Sequence, residues 1–301
     1  MVRFTVQALK RLLALLAVTG ALTQGASTLP EAVQETQFPW YAALIPATAS
    51  FQEDLYLGSN AVILMETHED GDGRLSSAYT LAEIYLPNVS DLKTYYMDSP
   101  DNGIGEIAAF STICRRVGAA FAVNGDYYVN QGVTAVRNGT VINSCVSSYD
   151  LCVLYSDGTM NTYRAGKLRS QKAVNKALRG AWQAWSFGPV LLNSDGSAIT
   201  DFSDRTIEYL TRLHPRTAIG YYGPGHYCLV SVAGYGEDSP GVTLEELSAF
   251  FSSLGCSKAY NLDGGYSTHM WFHGGQRTYT DKSRALSDII YIEDLTGGDQ
   301  P

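Results

Sequence analysis

The sequence predicts an α+β protein: a single domain with a mixed β-sheet core and helices packed on it. The chain has 301 residues, of which 45% are hydrophobic and 17% are charged, so it can bury a large core rather than remain disordered. Short runs rich in β-branched and aromatic residues recur along it, which is typical of strands. Two amphipathic helical segments are each followed by a short apolar strand.

The charge balance and the aromatic content narrow the classes of partner. The formal net charge is -9, which argues against a nucleic-acid partner, because such proteins present a basic face. The chain has 20 tyrosines against 10 phenylalanines. Tyrosine combines a flat apolar ring with a polar tip, so this excess indicates either a tyrosine-rich β-structure or surfaces that contact sugars or proteins.

The N-terminal segment has the pattern of an export signal. Arg3, Lys10 and Arg11 precede an apolar run over residues 12–22, which is too short for a spanning helix of about 20 residues. We expect residues 1–26 to be a secretory signal peptide or, if uncleaved, an N-terminal anchor. The protein is then secreted or extracytoplasmic, and it touches a membrane only through this segment.

The rest of the chain divides into a lead-in segment over residues 27–60, one domain over 61–296 and a tail over 297–301. Five cysteines follow the N-terminal segment, and export makes disulfides feasible. Cys145 and Cys152 are the favoured pair, because they are close in sequence and flank a polar loop. The cysteine spacings match no zinc site, so no metal is predicted.

The predicted strands follow in order along the domain. Residues 61–66 and 79–86 are joined by a turn containing EDGDGR. Residues 186–192 form a Gly-Pro turn into an apolar strand. Residues 216–222 and 226–236 form two further strands paired as a hairpin.

Two segments of the chain resemble each other. Residues 106–126 and 243–263 each read as an amphipathic helix, a glycine that ends it, a strand and an Asn-x-Asp triplet. In the first segment the helical spacing begins at Ile107. In the second, Thr243 and Glu246 predict a capping box, in which each side chain bonds a free amide of the first turn.

The two triplets are candidate functional positions. Asn124-Gly125-Asp126 and Asn261-Leu262-Asp263 both stand at strand ends beside glycines. Ligand sites favour the carboxyl ends of strands, and Asp and Asn are suited to proton transfer and to hydroxyl binding. Turn formation alone would also explain each triplet. We expect both triplets on one edge of the same sheet, in one cleft with Arg216. The planar guanidinium of Arg216 is suited to donate two parallel hydrogen bonds to a phosphate or a carboxylate.

Five motifs in this order resemble the phosphodiester glycosidase family: AVNGDYY, SFGPVLL, HPRTAIG, GVTLEEL and NLDGGYST. The family is similar in carrying Asn-Gly-Gly-Phe-Phe at residues 124–128 and Asn-Leu-Asp-Gly-Gly-Gly-Ser at residues 261–267. Two positions depart from that pattern, since Asp126 and Tyr266 each replace a glycine. His269 is not part of the family pattern.

The resemblance implies hydrolysis of a sugar joined through its anomeric carbon to a phosphodiester, which releases the sugar and leaves a phosphomonoester. It implies a phosphate-bearing glycan substrate and no cofactor. Asp263 is the expected carboxylate at the sugar, Arg216 the cation at the leaving oxygen, and Asp126 or His269 the proton-transfer partner. The expected substrate-binding residues are Asn124, Gly125, Asn261, Gly264, Gly265, Ser267, Thr268 and His269.

Two other functions compete with this one. A non-catalytic module that binds extracellular glycans, or assists envelope or exopolysaccharide assembly, is favoured by the bulk of Asp126 and Tyr266. A two-metal phosphodiesterase needs clustered His and Asp ligands, whereas the five histidines are scattered along the chain.

Overall fold

A computed structural model describes residues 49–96, 107–127, 133–203, 212–277 and 283–297. The predicted signal peptide or anchor over residues 1–26 lies outside the described residues, as do residues 27–48 and the last four positions of the predicted tail. None of the described helices has the length and apolar character needed to cross a membrane.

The largest sheet has seven strands, in the order β1-β2-β3-β4-β13-β12-β14. With strands numbered β1 to β17 along the chain, its members are β1 Ser50–Gln52, β2 Leu55–Leu57, β3 Val62–His68, β4 Tyr79–Tyr85, β12 Arg216–Gly223, β13 His226–Val232 and β14 Lys258–Asn261. The predicted pairs 61–66 with 79–86 and 216–222 with 226–236 appear here as β3–β4 and β12–β13. The sheet begins with β1 and β2, before the expected domain start at residue 61.

The described residues also form two five-stranded sheets, in the orders β16-β15-β6-β17-β5 and β10-β9-β11-β7-β8. The strands of the first are β5 Lys93–Tyr96, β6 Ala119–Asn124, β15 Met270–Phe272, β16 Gly275–Gln276 and β17 Asp288–Glu293. Those of the second are β7 Ala135–Arg137, β8 Thr140–Asn143, β9 Leu151–Tyr155, β10 Met160–Tyr163 and β11 Ala181–Trp185.

The predicted α+β class is confirmed, with one difference in strand direction. The pairs between strands in the described part of the chain are antiparallel, whereas a mixed sheet was expected. The connections between successive strands are mostly short here, and short connections join antiparallel neighbours.

In the described part of the chain, three α-helices pack on these sheets: α1 Phe110–Arg116, α2 Gln171–Ala177 and α3 Leu244–Ser253. Two 3₁₀ turns, η1 Val89–Asp91 and η2 Gly265–Ser267, lie between strands. A Cβ at Gly220 of β12 would lie 2.7 Å from the Phe251 ring of α3, so this glycine permits the helix to pack closely on the largest sheet.

The helix ends follow the sequence with two differences. The Thr243 hydroxyl accepts from the amide of Glu246, as predicted, but the Glu246 carboxylate accepts from the amide of Ser76 rather than closing the capping box. Helix α1 begins at Phe110, and Ile107 lies before it with 63% of its surface exposed. Gly118 and Gly255 follow the two helices with positive φ, where glycine is least strained.

The two similar helix–strand segments belong to different sheets. Strand β6, which follows α1, is central in one five-stranded sheet, whereas β14, which follows α3, is the edge of the seven-stranded sheet. The expectation that both triplets lie on one edge of the same sheet is therefore wrong. A common core joins the sheets, and it contains Ile63 and Leu229 of the large sheet with Phe121 and Ile290 of the smaller one.

The cysteines do not form the predicted disulfide. No disulfide joins Cys145 to Cys152, and Cys152 is buried in β9. The two sulfur atoms that approach each other are those of Cys228 and Cys256, 3.7 Å apart in the core. Proximity in sequence was a poor guide because the strand pairing brings distant positions together.

Candidate functional site

The ends of β6 and β14 meet although their sheets differ. The Asn124 side-chain amide donates to the Asp263 carbonyl at 2.7 Å, and the Asp263 amide donates to the Gly125 carbonyl at 3.2 Å. The Asn124 Oδ1 accepts from the Thr217 hydroxyl at 2.7 Å. The buried Asn124 side chain therefore connects the two triplets and fixes the position of Asp263.

Asp263 lies at the centre of a group of polar contacts. Its Oδ1 accepts from the amide of Gly264 at 2.8 Å, and its Oδ2 is paired with the Arg284 Nη2. The Arg284 Nε donates to the Ser267 hydroxyl at 2.5 Å. The Asp263 side chain is 10% exposed and that of Arg284 is 42% exposed, so the pair lies at the boundary between protein and solvent.

Burial and charge act on the Asp263 carboxyl in opposite directions. Desolvation raises its pKa above the ordinary value, while the charge of Arg284 and hydrogen bonds from Ser267, Arg284 and Gly264 work against that rise. A carboxylate that is partly desolvated beside a cation is suited to stabilise positive charge that develops next to it.

A small pocket that opens to solvent lies at this pair. The residues that line it are Ile107, Asn124, Gly125, Tyr127, Asp263, Ser267, Arg284, Ala285, Leu286, Ser287 and Asp288.

Asp288, at the start of β17, is a second carboxyl at this pocket, and Gly125 makes room for it. A Cβ at Gly125 would collide with the Asp288 carboxylate. The Gly125 amide also donates to the Asp288 carbonyl at 3.2 Å. The glycine of the first triplet therefore permits the close packing of Asp288 against the end of β6, and it also lines the pocket.

Asp126 points away from the pocket, contrary to its predicted catalytic place. Its Oδ1 accepts from the Arg137 Nη2 at 2.6 Å and its Oδ2 from the Ser186 amide at 2.7 Å. The side chains of Asp126 and Arg137 are both fully buried. Asp126 lies in the bend after β6, and the carboxylate that lines the pocket besides Asp263 is that of Asp288.

Asp288 and Asp126 share the single guanidinium of Arg137. The Arg137 Nη2 lies 3.4 Å from Asp288 Oδ2 but 2.6 Å from Asp126 Oδ1, so Asp126 has the stronger contact. Burial, and then the nearby Asp126, raise the pKa of Asp288 to about 7. Asp288 is therefore the member of this group suited to hold a proton near neutral pH.

Arg216 also lies away from the pocket. It is 4% exposed, its Nε donates to the Val242 carbonyl at 3.3 Å, and its Nη2 donates to the Arg212 carbonyl at 2.9 Å. Burial lowers its pKa to about 10, which still leaves it charged at neutral pH. The cation in direct contact with Asp263 is Arg284 rather than Arg216.

Three more of the predicted binding residues are buried beside the pocket without lining it. Asn261 donates from Nδ2 to the Gly188 carbonyl at 2.8 Å. Thr268 is fully buried. His269 stacks on the Phe110 ring and contacts the Gln276 amide through Nδ1 at 3.1 Å. Burial lowers the pKa of His269 to about 4, so it is neutral at physiological pH.

The two glycines of the second motif act through the backbone inside the protein. The amide of Gly264 donates to Asp263, and the amide of Gly265 donates to the Pro215 carbonyl at 3.0 Å. They were expected to supply donors to the substrate. Instead they fix the loop that orients Asp263, and a Cβ at Gly264 would lie 2.7 Å from that same Pro215 carbonyl.

Sequence reasoning missed Arg284 and Asp288. Both lie within one short stretch near the end of the domain, and neither belongs to an Asn-x-Asp triplet. A usable signal was present, since the sequence SRALSD puts an Arg and an Asp directly before an apolar strand. Among the described residues, no group of three or more His, Cys, Asp or Glu side chains is arranged to hold a metal ion.

Comparison with known proteins identifies the class to which this fold and pocket belong. The sequence model of the family "NAGPA: Phosphodiester glycosidase" matches residues 117–293, more than half of the chain. The chain belongs to the phosphodiester glycosidase family. The match contains both triplets, Arg284 and Asp288.

Individual relatives are distant. The SPbeta prophage-derived uncharacterized protein YomE of Bacillus subtilis (strain 168) is 23% identical over 238 residues, which are 75% of this chain and 35% of that protein. The chain thus spans about a third of the length of this curated relative.

Two solved structures share the fold. The catalytic domain of zebrafish N-acetylglucosamine-1-phosphodiester alpha-N-acetylglucosaminidase, auto-inhibited by its pro-peptide, aligns with a TM-score of 0.59 at 17% identity, covering 81% of this chain and 85% of that one. A hypothetical protein from Synechocystis aligns with a TM-score of 0.59 at 13% identity, covering 78% of this chain and 62% of the other.

Proposed function

We propose that this protein is a secreted hydrolase that cleaves the glycosidic bond of a sugar-1-phosphodiester. Water adds to the anomeric carbon, the bond from that carbon to the phosphate oxygen breaks, and a free sugar and a phosphomonoester result. The observation that carries the proposal is the pairing of Asp263 with the half-exposed Arg284 at an open pocket. Family membership supports the same reaction class.

Asp263 is the carboxylate that we place at the sugar. The transition state of glycosidic cleavage carries positive charge at the anomeric carbon and ring oxygen, and a nearby carboxylate stabilises it or attacks it. Asp263 is held by Gly264, Ser267 and Arg284. Such a fixed carboxylate need not reorganise when charge develops.

Arg284 is the cation that we place at the phosphate. Two of its nitrogens are occupied by Ser267 and Asp263, and 42% of the side chain is exposed. The exposed edge of the guanidinium retains donors for a phosphate oxygen. The same side chain can therefore link the carboxylate at the sugar to the leaving phosphate.

Asp288 replaces Asp126 and His269 as the group that we place at proton transfer. It lines the pocket, and sharing Arg137 with Asp126 leaves it suited to keep a proton. It can give that proton to the leaving phosphate or accept one from the attacking water. A phosphomonoester leaves readily, so we expect the effect of Asp288 to be smaller than that of Asp263.

Incubation in ¹⁸O-labelled water tests the reaction. The purified protein is given the methyl diesters of glucose, galactose, mannose and N-acetylglucosamine 1-phosphate, and products are analysed by mass spectrometry. We expect a free reducing sugar that carries ¹⁸O and methyl phosphate that does not. Label in the phosphate would instead show cleavage of a P–O bond, as in a phosphodiesterase. Absence of product with every diester, together with retention on glycans, would favour the non-catalytic glycan-binding module.

A further inference from the structure

Two cysteines in the core, Cys228 and Cys256, have no part in the proposed reaction. Cys228 lies within β13, and Cys256 lies between the end of α3 and the start of β14. Their Sγ atoms are 3.7 Å apart, although the residues are 28 positions apart in the chain. Both residues are buried, with 0% and 2% of their surfaces exposed. Neither residue lines the pocket at Asp263.

Backbone hydrogen bonds hold both cysteines in these positions. Cys228 belongs to a strand that is paired with β4 on one side and with β12 on the other. The Cys256 amide donates to the Phe251 carbonyl at 3.2 Å, and the amide of the next residue, Ser257, donates to the Tyr221 carbonyl of β12 at 2.8 Å. The approach of the two sulfur atoms therefore follows from the main-chain structure of the large sheet and of the turn after α3.

Small neighbours leave room for the two sulfur atoms. Gly220 of β12 is the partner of Cys228 in the strand register, and Ala259 of β14 is the partner of Gly220 on its other side. A Cβ at Gly220 would lie only 2.7 Å from the Cys228 Sγ. A disulfide bond is about 2.05 Å long. Rotation about the Cα–Cβ bonds of the two cysteines can bring the sulfur atoms together without moving the strands.

We propose that Cys228 and Cys256 form a disulfide bond that fastens the start of β14 to the large sheet. The segment that follows Cys256 carries Asn261 and Asp263, so the bond anchors the chain that leads into the second triplet. The proposal does not depend on the glycosidase activity, because it concerns a covalent bond in the core. Export, which the N-terminal sequence predicts, would bring the chain into a compartment where disulfides persist.

The bond forms by exchange with a small disulfide such as oxidised glutathione. One cysteine thiolate attacks a sulfur of the oxidant and releases one thiol, and the second cysteine thiolate then attacks the mixed disulfide and releases the other thiol. The two cysteines lose two protons and two electrons, and the oxidant gains them. Burial, and then the neighbouring Cys228, raise the pKa of Cys256 well above its ordinary value. Since the thiolate is the nucleophile, we expect the bond to form before the core closes.

Mass spectrometry of refolded protein tests the bond. The full chain is reduced in guanidinium chloride and refolded either with oxidised glutathione or with dithiothreitol, and free thiols are then alkylated under denaturing conditions. We expect three of the five cysteines to be alkylated after the oxidising treatment and all five after the reducing one. Digestion of the oxidised sample should give a linked pair of peptides that contain Cys228 and Cys256. Alkylation of all five cysteines in both samples, or a bond that joins a different pair, would overturn the proposal.

Thermal melting tests whether the bond anchors the fold. The oxidised wild type should melt about 5–10 °C above the reduced wild type, because the bond restricts the unfolded chain. Equal melting temperatures of the linked and reduced proteins would overturn the anchoring role. This comparison needs no substitution, so it holds even if a variant fails to fold.

Two cysteine variants assign the difference in melting temperature to the proposed pair. Cys256→Ala should melt at the same temperature after both treatments. Cys114→Ala is the matched control, since Cys114 is fully buried in α1 and is not a member of the pair. It should retain the whole difference between oxidised and reduced protein. Loss of that difference in Cys114→Ala but not in Cys256→Ala would overturn the assignment to Cys228 and Cys256.

Discussion

Asp263 and Asp126 end two similar segments of sequence, yet the fold gives them opposite environments. Asp263 pairs with Arg284, whose side chain is 42% exposed, at the surface of a pocket. Asp126 pairs with Arg137 in the interior, where both side chains are fully buried. The same motif thus gives a chemically available carboxylate in one place and an interior ion pair in the other. What separates them is the sheet that receives each strand.

Asp126, Arg137 and Asp288 form an interior cluster, and substitutions in this cluster should destabilise the protein more than substitutions at Asp263 and Arg284. Arg137 faces two carboxylates, and it donates from Nη1 to the Ala184 carbonyl at 2.6 Å. Burying charges is costly unless they are paired and hydrogen-bonded. Substitutions at Asp263 and Arg284, which we call the open pair, should cost less stability, because water reaches Arg284. Changes in the interior cluster should therefore act on stability, and changes in the open pair on activity.

The largest expected effect is on catalysis by Asp263→Asn. The change keeps the size of the side chain but removes the charge that stabilises the transition state, so sugar release should fall by at least about 10²–10⁴-fold. Thermal melting should stay near wild type. The measurement is reducing sugar released from a sugar-1-phosphate methyl diester. Full activity in this variant would remove Asp263 from the chemistry.

The next effect is on stability, through Arg137→Met. Leaving Asp126 without its partner in the interior should cost about 3–5 kcal/mol of unfolding free energy, measured by urea denaturation. Asp126→Gly should also destabilise, although it restores the residue usual in the family, because it leaves Arg137 with the more distant Asp288. Arg284→Met is the matched control at the open pair and should cost less. An Arg137→Met protein as stable as wild type would show that the interior pair is dispensable.

Arg284→Lys should weaken turnover of phosphodiesters by about 10- to 100-fold in kcat/KM. Lysine keeps the charge but cannot contact Ser267, Asp263 and a phosphate oxygen at once. Arg216→Lys is the comparison, since Arg216 is bonded to carbonyls away from the pocket. If Arg216→Lys lost more activity than Arg284→Lys in equally folded protein, the phosphate role would return to Arg216.

The smallest effect is a pH dependence of stability from Asp288. Its pKa is raised in the folded protein to about 7, facing Asp126 and Arg137. A raised pKa means that the folded state holds a proton that the unfolded state has released between about pH 4 and pH 7. The contribution to stability is therefore complete below about pH 4 and is lost as the pH rises through 7.

Melting of wild type and Asp288→Asn at pH 4 to 9 measures the contribution of Asp288 to stability. The wild type should lose melting temperature relative to the variant as the pH rises to 7, by at least about 2–4 °C, which corresponds to roughly 1 kcal/mol in a protein of this size. The difference should be constant above pH 8. Parallel curves for the two proteins throughout would show that Asp288 does not carry a raised pKa.

Local sequence determined the α+β class, the strand pairs β3–β4 and β12–β13, the two helix–glycine–strand segments and the position of Asp263 directly after a strand. These features depend on residues close together in the chain, on side-chain periodicity and on glycines at positive φ. The resemblance of five ordered motifs also identified the family. Such information is available before folding because neighbouring residues share one element.

Only the tertiary structure decided which polar groups meet. It placed β6 and β14 in different sheets, joined their ends through Asn124, turned Asp126 inward to Arg137 and brought Arg284 to Asp263 from 21 positions along the chain. Charge pairing and burial depend on contacts between elements distant in sequence, and no local pattern encodes which partner a side chain meets.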